Sequence, residues 1–341
     1  MRAPGFWWRP KPGWLAGLLS PLGWLYGTLT LLRMRRPGIS VGIPVICVGN
    51  FVAGGAGKTP TAIALTRMLA ARGDKPFVLM RGYGGRLAGP VAVDPSSHSA
   101  ADVGDEALLM AGLMPTVVAR DRPAGAALAK ALGASVIVMD DGLQNPSLAK
   151  ALRLAVVDGA SGVGNGLCLP AGPLRAPLAG QCEATDAVIV IGDGDAGSGV
   201  AADARASGLA VLTARLAPDP GVAATLSGQA VIAVSGIGRP EKFAATLRQT
   251  GATILAERPF GDHHAYTPGD VAELIAQAGR LGGRIATTEK DMTKLGPLWP
   301  AAERDRLLVL PVTLVFDDCI AIARLLDRAL AASAPAGAAQ P

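Results

Sequence analysis

The sequence predicts an α/β protein: a doubly wound parallel sheet, preceded by an apolar helix and followed by a second, smaller αβ domain. Three observations carry this. Short β-rich apolar runs alternate with helical patterns from about residue 40 to residue 191, as a parallel sheet with crossover helices requires. A glycine loop ending in Gly57-Lys58-Thr59 joins the first run to a helical pattern. A new strand, glycine turn and helix begins near residue 229, in QAVIAVSGIGRPEKF. The 341 residues suffice for two domains. The expected divisions are 1–38 for the apolar helix, 39–208 for the larger domain, 209–330 for the smaller and 331–341 for an unfolded tail.

The first segment differs from the rest. Four of the five tryptophans (Trp7, Trp8, Trp14, Trp24) fall within 24 residues, and no charge occurs from Pro12 to Leu32. Arg9 and Lys11 flank one side, Arg33, Arg35 and Arg36 the other. About twenty helical residues span the ~30 Å of a bilayer core, and Trp and Tyr suit the headgroup level. Pro21 and four glycines weaken a spanning helix, and the arginines stand where a leader peptidase would need small residues. Leu15, Leu18, Leu19, Leu22, Leu25, Leu29 and Leu32 share one face at helical spacing, opposite Gly17, Ser20, Gly27 and Thr28. In-plane or partial insertion is the leading reading; a spanning helix and a plain core helix stay open.

Strands are expected at 43–48, 76–80, 116–119, 135–139, 153–157 and 187–191, with helices at 60–72, 104–113 and 122–133. Residues 192–208, rich in Gly, Asp and Ala, read as a surface loop or linker. Further strands are expected at 252–256, 284–287 and 307–314. The tail ASAPAGAAQP has too few apolar groups to bury a core. The net charge of +5 suits an acidic partner such as a nucleotide or anionic lipid. Aromatics are 4% and no zinc or base-stacking motif is present, which argues against nucleic acid. Cys47, Cys168, Cys182 and Cys319 form no Cys-x-x-Cys pair and read as free thiols.

The stretch VGNFVAGGAGKTPT, residues 48–61, is a phosphate loop of the P-loop NTPase type, although Val52 stands where the usual first glycine would be. Gly54, Gly55, Ala56 and Gly57 let backbone N–H groups converge on phosphates, and the helix entered at Lys58, Thr59 and Pro60 points its positive end at them. Lys58 would bridge β- and γ-phosphates and Thr59 would ligate Mg²⁺. A carboxylate at a neighbouring strand end must complete the metal shell. Asp140 and Asp141, after the run SVIVM, supply it.

Other constellations are open from chemistry alone. Asp105 in DVGDEALLM is either a helix cap or a base for a hydroxyl proton. Asp262, His263 and His264 precede a capped helix start, TPGD, and suit acid–base or metal work. RGYGGR, VVARDRP and LPAGPLRAP place arginines after strands, where open α/β sheets bind ligands. TTEKD lacks the spacing of a guanine-reading motif and reads as a helix cap by Thr288 with Asp291 three residues on.

Taken together, VGNFVAGGAGKTPT, RGYGG, VGDEALLM, MDDGLQN, LPAGPLR, SGIGRPEKF, FGDHHAYT and TTEKD resemble, in order, the tetraacyldisaccharide 4′-kinase family of lipid A biosynthesis. The resemblance implies a kinase on the cytoplasmic face of the bacterial inner membrane, using ATP and Mg²⁺. Its acceptor would be an acylated disaccharide 1-phosphate, phosphorylated on the 4′-hydroxyl to give lipid IVA. It also implies Asp105 as base with His263, rather than His264, as its partner from the second domain. Asn50, Tyr83, Glu106, Arg120, Gln144, Arg175 and His264 would face substrate. Asn145 stands where the resemblance leads one to expect His. The rival reading is a P-loop GTPase or ATPase of the metal-insertion or targeting type, whose guanine motif or metal cluster the sequence lacks.

Overall fold

The computed structural model describes residues 3–262 and 264–332. His263 and residues 333–341, most of the expected tail, lie outside the described residues. The helices are α1 (Trp14–Met34), α2 (Lys58–Ala71), α3 (Ala100–Val103), α4 (Asp105–Ala111), α5 (Arg122–Ala131), α6 (Leu178–Glu183), α7 (Asp195–Ala206), α8 (Pro220–Leu226), α9 (Pro240–Gln249), α10 (Pro268–Leu281), α11 (Glu289–Leu295) and α12 (Cys319–Ala331). The strands run from β1 (Val45–Asn50), β2 (Pro76–Met80), β3 (Val91–Ala92), β4 (Thr116–Val118), β5 (Val136–Asp140) and β6 (Leu152–Asp158) to β7 (Ala187–Ile191) and β8 (Ala210–Pro218). They continue with β9 (Ala230–Ser235), β10 (Thr253–Pro259), β11 (Arg284–Thr288), β12 (Leu307–Leu310) and β13 (Val312–Phe316).

A nine-stranded sheet has the order β13-β8-β7-β6-β1-β5-β2-β4-β3, parallel except at the β13/β8 and β4/β3 pairs. Its central strands are buried throughout because helices cover both faces, which is why they read as unbroken apolar runs. A second sheet, β10-β9-β11-β12, is wholly parallel.

Two expectations change. The division at 208/209 is misplaced: β8 pairs with β7, and β13 returns to pair with β8. Ile322, Leu325 and Leu326 of α12 then join the core of the large sheet. The smaller domain is therefore an insertion between Pro218 and Val312, and 210–218 with 312–331 belong to the larger one. Residues 192–208 are not a linker, because α7 buries Val200, Ala201 and Ala204 against the sheet. Its small residues permit close approach; a Cβ on Gly197 would lie 2.5 Å from Gly159 Cα. Composition hid a helix whose packing relies on the lack of side chains.

The α1 helix lies against the large domain by its small residues, with Ala16, Gly23 and Gly27 buried. The opposite face is open: Leu18, Leu22, Trp24, Leu25, Leu29 and Leu32 are more than half exposed. By length and composition α1 is long and apolar enough to cross a membrane.

Candidate active site

The phosphate loop sits where the C-terminal ends of the parallel strands meet the start of α2. Gly57 caps α2 in the left-handed region (φ 93°), close to Ile191, where a Cβ would come within 2.5 Å of Ile191 Cδ1. Over Gly54 and Gly55 an added Cβ would meet nothing within 4 Å, so the loop's outer surface is open. Ala56 is buried beneath it. Lys58 and Thr59 begin the helix with N–H groups that have no intrahelical partner, and Pro60 carries none. Lys58 Nζ lies 3.4 Å from Gly54 O and 3.8 Å from Asp141 Oδ1, a position from which it can turn to phosphate.

The strand β5 lies beside β1 with Asp140 opposite Val48, which places the acidic pair next to the loop. Burial, with Glu106 nearby, pushes the Asp140 carboxyl up to about 7, although Lys58 opposes this. Its Oδ1 is buried with no hydrogen-bond partner among the described residues. Such an oxygen is costly unless a cation or proton satisfies it. Asp141 takes the left-handed conformation (φ 50°), alone among the described non-glycine residues. Burial would raise its carboxyl, but Lys58 and Arg175 outweigh that and hold it below the usual range. Arg175 binds Asp141 with both Nη atoms, at 2.9 and 3.2 Å.

Asp105 is the first residue of α4; Gly104 takes the cap position, so the simple cap reading does not hold. The side chain is buried, accepting from Glu106 N at 2.9 Å and from Lys294 Nζ at 3.1 Å. Lys294 belongs to α11 of the smaller domain. One turn earlier, Lys290 lies 3.2 Å from Glu106 Oε1 and 3.3 Å from Asp262 Oδ1. Although burial lowers it, Glu106, Asp262 and Asp105 together raise the Lys290 ammonium above its ordinary range. The Asp105–Glu106 turn and the loop entering α10 thus meet at one cleft between the domains.

Asp291 explains TTEKD. Fully buried, it accepts from Gly236 N (2.9 Å), Tyr266 OH (3.1 Å) and Thr288 Oγ1 (2.7 Å), while Thr288 caps α11 as expected. It joins the SGIGRP turn, the FGDHHAYT loop and α11. His264 packs on Phe260 and Tyr266 and places Nε2 3.2 Å from Asp270, turned toward the cap of α10.

The residues expected to face substrate divide between the root of the phosphate loop, the cleft and the open surface. Asn50 is fully buried and donates to Gly54 O at 3.0 Å, bracing the loop from beneath. Gln144 bonds Asn50 O, Gln181 and Arg175, and so ties the loop's root to the arginine. Glu106 faces Lys290. Tyr83 is 75% exposed on the RGYGG loop. Arg120 is exposed and approaches Gly85 O at 3.4 Å, whereas Arg122 is the buried arginine, donating to Asp140 O at 3.4 Å. Asn145, the departure from the expected His, accepts from Ser147 N within its turn. Sequence reasoning missed Lys290 and Lys294; their i, i+4 spacing in EKDMTK was the available signal.

The sequence profile of the tetraacyldisaccharide-1-P 4′-kinase family matches residues 15–331. The chain belongs to that family. Tetraacyldisaccharide 4′-kinases of Bradyrhizobium sp. (strain ORS 278) and Methylobacterium nodulans are 54% and 56% identical, each over 98% of this chain and 99% and 97% of their own. That of Methylorubrum extorquens is 57% identical over 93% of this chain and 95% of its own. Among solved structures, LpxK from Aquifex aeolicus in complex with ATP shares the fold, with a TM-score of 0.70 and 22% identity, over 93% of this chain and 99% of that one. The phosphate loop, the Asp140–Asp141 turn and the residues of the cleft, Asp105 and Lys294, all lie within the matched stretch.

Proposed function

We propose that the chain transfers the γ-phosphate of ATP to the 4′-hydroxyl of an acylated disaccharide 1-phosphate, forming the lipid A precursor lipid IVA. The observation that carries this is the cleft: a carboxylate, Asp105, from one domain faces lysines from the other beside a phosphate loop. A hydrolase needs only to admit water, whereas a kinase must bring a chosen hydroxyl and exclude water as its domains meet. Family membership favours the same reading over a metal-insertion or targeting GTPase.

In this mechanism the loop's N–H groups and Lys58 hold the ATP phosphates. Asp105 takes the proton of the 4′-hydroxyl as its oxygen attacks the γ-phosphorus, and the bond to the β–γ bridging oxygen breaks, releasing ADP. His263 is the partner of Asp105 in this scheme; the engagement of His264 by Asp270 supports that choice. Mg²⁺ would be held by Thr59, Asp140 and Asp141 with the phosphates, and would neutralise charge developing on them. The unpartnered Asp140 Oδ1 fits that cation. Among the described residues no group of three or more His, Cys, Asp or Glu forms a metal cage, which suits Mg²⁺ held by few carboxylates, water and phosphate. Arg175, Tyr83 and Arg120 border the open side, toward substrate. The outward apolar face of α1 would rest in the cytoplasmic leaflet, where the acceptor's acyl chains lie.

The test is purified full-length protein with ATP, Mg²⁺ and a tetraacyldisaccharide 1-phosphate, followed by mass spectrometry. A product heavier by one phosphate at the 4′ position is expected, and Asp105→Asn abolishes it while ATP still binds. ATP consumption indifferent to the acceptor overturns the proposal.

A further inference from the structure

The apolar N-terminal segment has two faces, and the buried one leads to the phosphate loop. On that side, a Cβ on Gly23 would lie 2.6 Å from Cys168 O, and one on Gly27 would lie 2.6 Å from Cys168 Sγ and 3.1 Å from Pro177 Cδ. Backbone of α1 therefore rests directly on the segment LCLPAGPLRAP. Ahead of α1, Trp7 grips the same segment: its Nε1 donates to Pro170 O at 3.0 Å, and its carbonyl accepts from Asn165 N at 2.7 Å. Trp8 packs against the cluster that contains Cys168, Leu174, Phe51 and Val52.

That segment is in turn bonded to the ATP loop. Leu174 bridges Val52 in antiparallel register, and Ala53 N donates to Pro173 O at 2.7 Å. Arg175 N donates to Phe51 O at 2.9 Å, and Arg175 Nε to Val52 O at 3.1 Å. The same guanidinium holds Asp141. Among the described residues, 51–53 carry no other strand pairing, so their course into Gly54–Gly57 follows from this edge.

We propose that α1 with Trp7 is a positioning element for the ATP site: its docking on residues 165–177 holds the phosphate loop and Arg175 in their binding geometry. The segment is then more than an anchor. By reciprocity, ATP bound to the loop must favour the docked helix by the same free energy with which docking favours ATP. A passive anchor has no such coupling. The inference rests on the reading of residues 54–59 as the ATP loop, which wild-type ATP binding in the same experiment checks separately.

Cys168 supplies the reporter. It is buried under Gly27 and becomes accessible when the helix lifts. The full chain is placed in detergent micelles, which removes any need for membrane targeting. Maleimide labelling of Cys168 is followed by peptide mass, and the ATP Kd by calorimetry. In G23L/G27L, labelling of Cys168 is expected to accelerate and the ATP Kd to rise by about tenfold or more, equivalent to ~1.4 kcal/mol of coupling. W7A is expected to do the same to a smaller degree. In the wild type, MgATP is expected to slow Cys168 labelling, and this arm decides alone if the double variant does not fold. Faster labelling with an unchanged ATP Kd overturns the proposal. So does a Cys168 that stays protected behind two leucines, because the packing itself would then be wrong. Wild-type labelling indifferent to MgATP likewise refutes the coupling.

Discussion

At the scale of single residues, the site joins groups whose charges are set by their neighbours. Asp105, read from sequence as either cap or base, is buried and held by Lys294, 189 residues away in the chain. Lys294 thus sets a cation against the carboxylate that is assigned the hydroxyl proton. His263→Ala should slow transfer by orders of magnitude, whereas His264→Ala, which removes a contact to Asp270, should act mainly on stability. Steady-state rates and melting curves of both variants check this, and a transfer defect confined to His264→Ala reverses the assignment. Asp140 adds a pH dependence. Its carboxyl sits at about 7, raised chiefly by burial, so below that pH a proton competes with Mg²⁺. The apparent Mg²⁺ affinity should therefore fall about tenfold per pH unit below 7 and level off above it. Titration of Mg²⁺ in the presence of ATP between about pH 5.5 and pH 8, a range that brackets that midpoint, measures the slope; Asp140→Asn should reduce it to the part that protonation of the ATP phosphate contributes.

At the scale of elements, periodicity located β2 and β7 to the residue and β1, β4, β5 and β6 to within two, because buried parallel strands are unbroken β-branched runs; it gave no strand at β3 or β8 and ran β12 and β13, which belong to different sheets, into one. It failed at α7, where Gly and Ala carry a helix on close approach rather than on an apolar stripe. For α1 the leucine face was legible, but not which face would be docked. The structure sets the glycines inward and the leucines outward. Replacing Leu22, Leu25 and Leu29 by Ser removes apolar groups worth roughly 2 kcal/mol each on transfer from water. The triple variant should lose cosedimentation with phospholipid vesicles while keeping its melting temperature. A lost melting temperature with vesicle binding intact would mean instead that this face packs within the protein.

At the scale of the whole molecule, the smaller domain is inserted between β8 and β13, so two chain crossings and side-chain bridges govern its placement. On the side away from Asp105, Asp158 at the end of β6 is buried and accepts from Arg239 at 2.8 Å and from Lys242. Burial works against its charge, but these two cations hold the carboxyl below its usual range. Asp158→Ala strands two cations of the GRPEK turn and should loosen the smaller domain. We expect faster hydrogen exchange over residues 236–246 and a lower kcat with ATP affinity retained; an unchanged kcat would show that this bridge does not govern closure. By itself the sequence determined the phosphate loop, the acidic turn after its neighbouring strand, the alternation of strands and helices and the apolar first segment. Each depends on residues within one or two turns of one another, where steric preference and periodicity act. Tertiary structure alone decided the return of β13, the lysines that meet Asp105 and Glu106, the burial of Asn50 and Arg122, and the docked face of α1. Those follow from burial and charge pairing between residues far apart in the chain, and no local pattern encodes which distant partner is met.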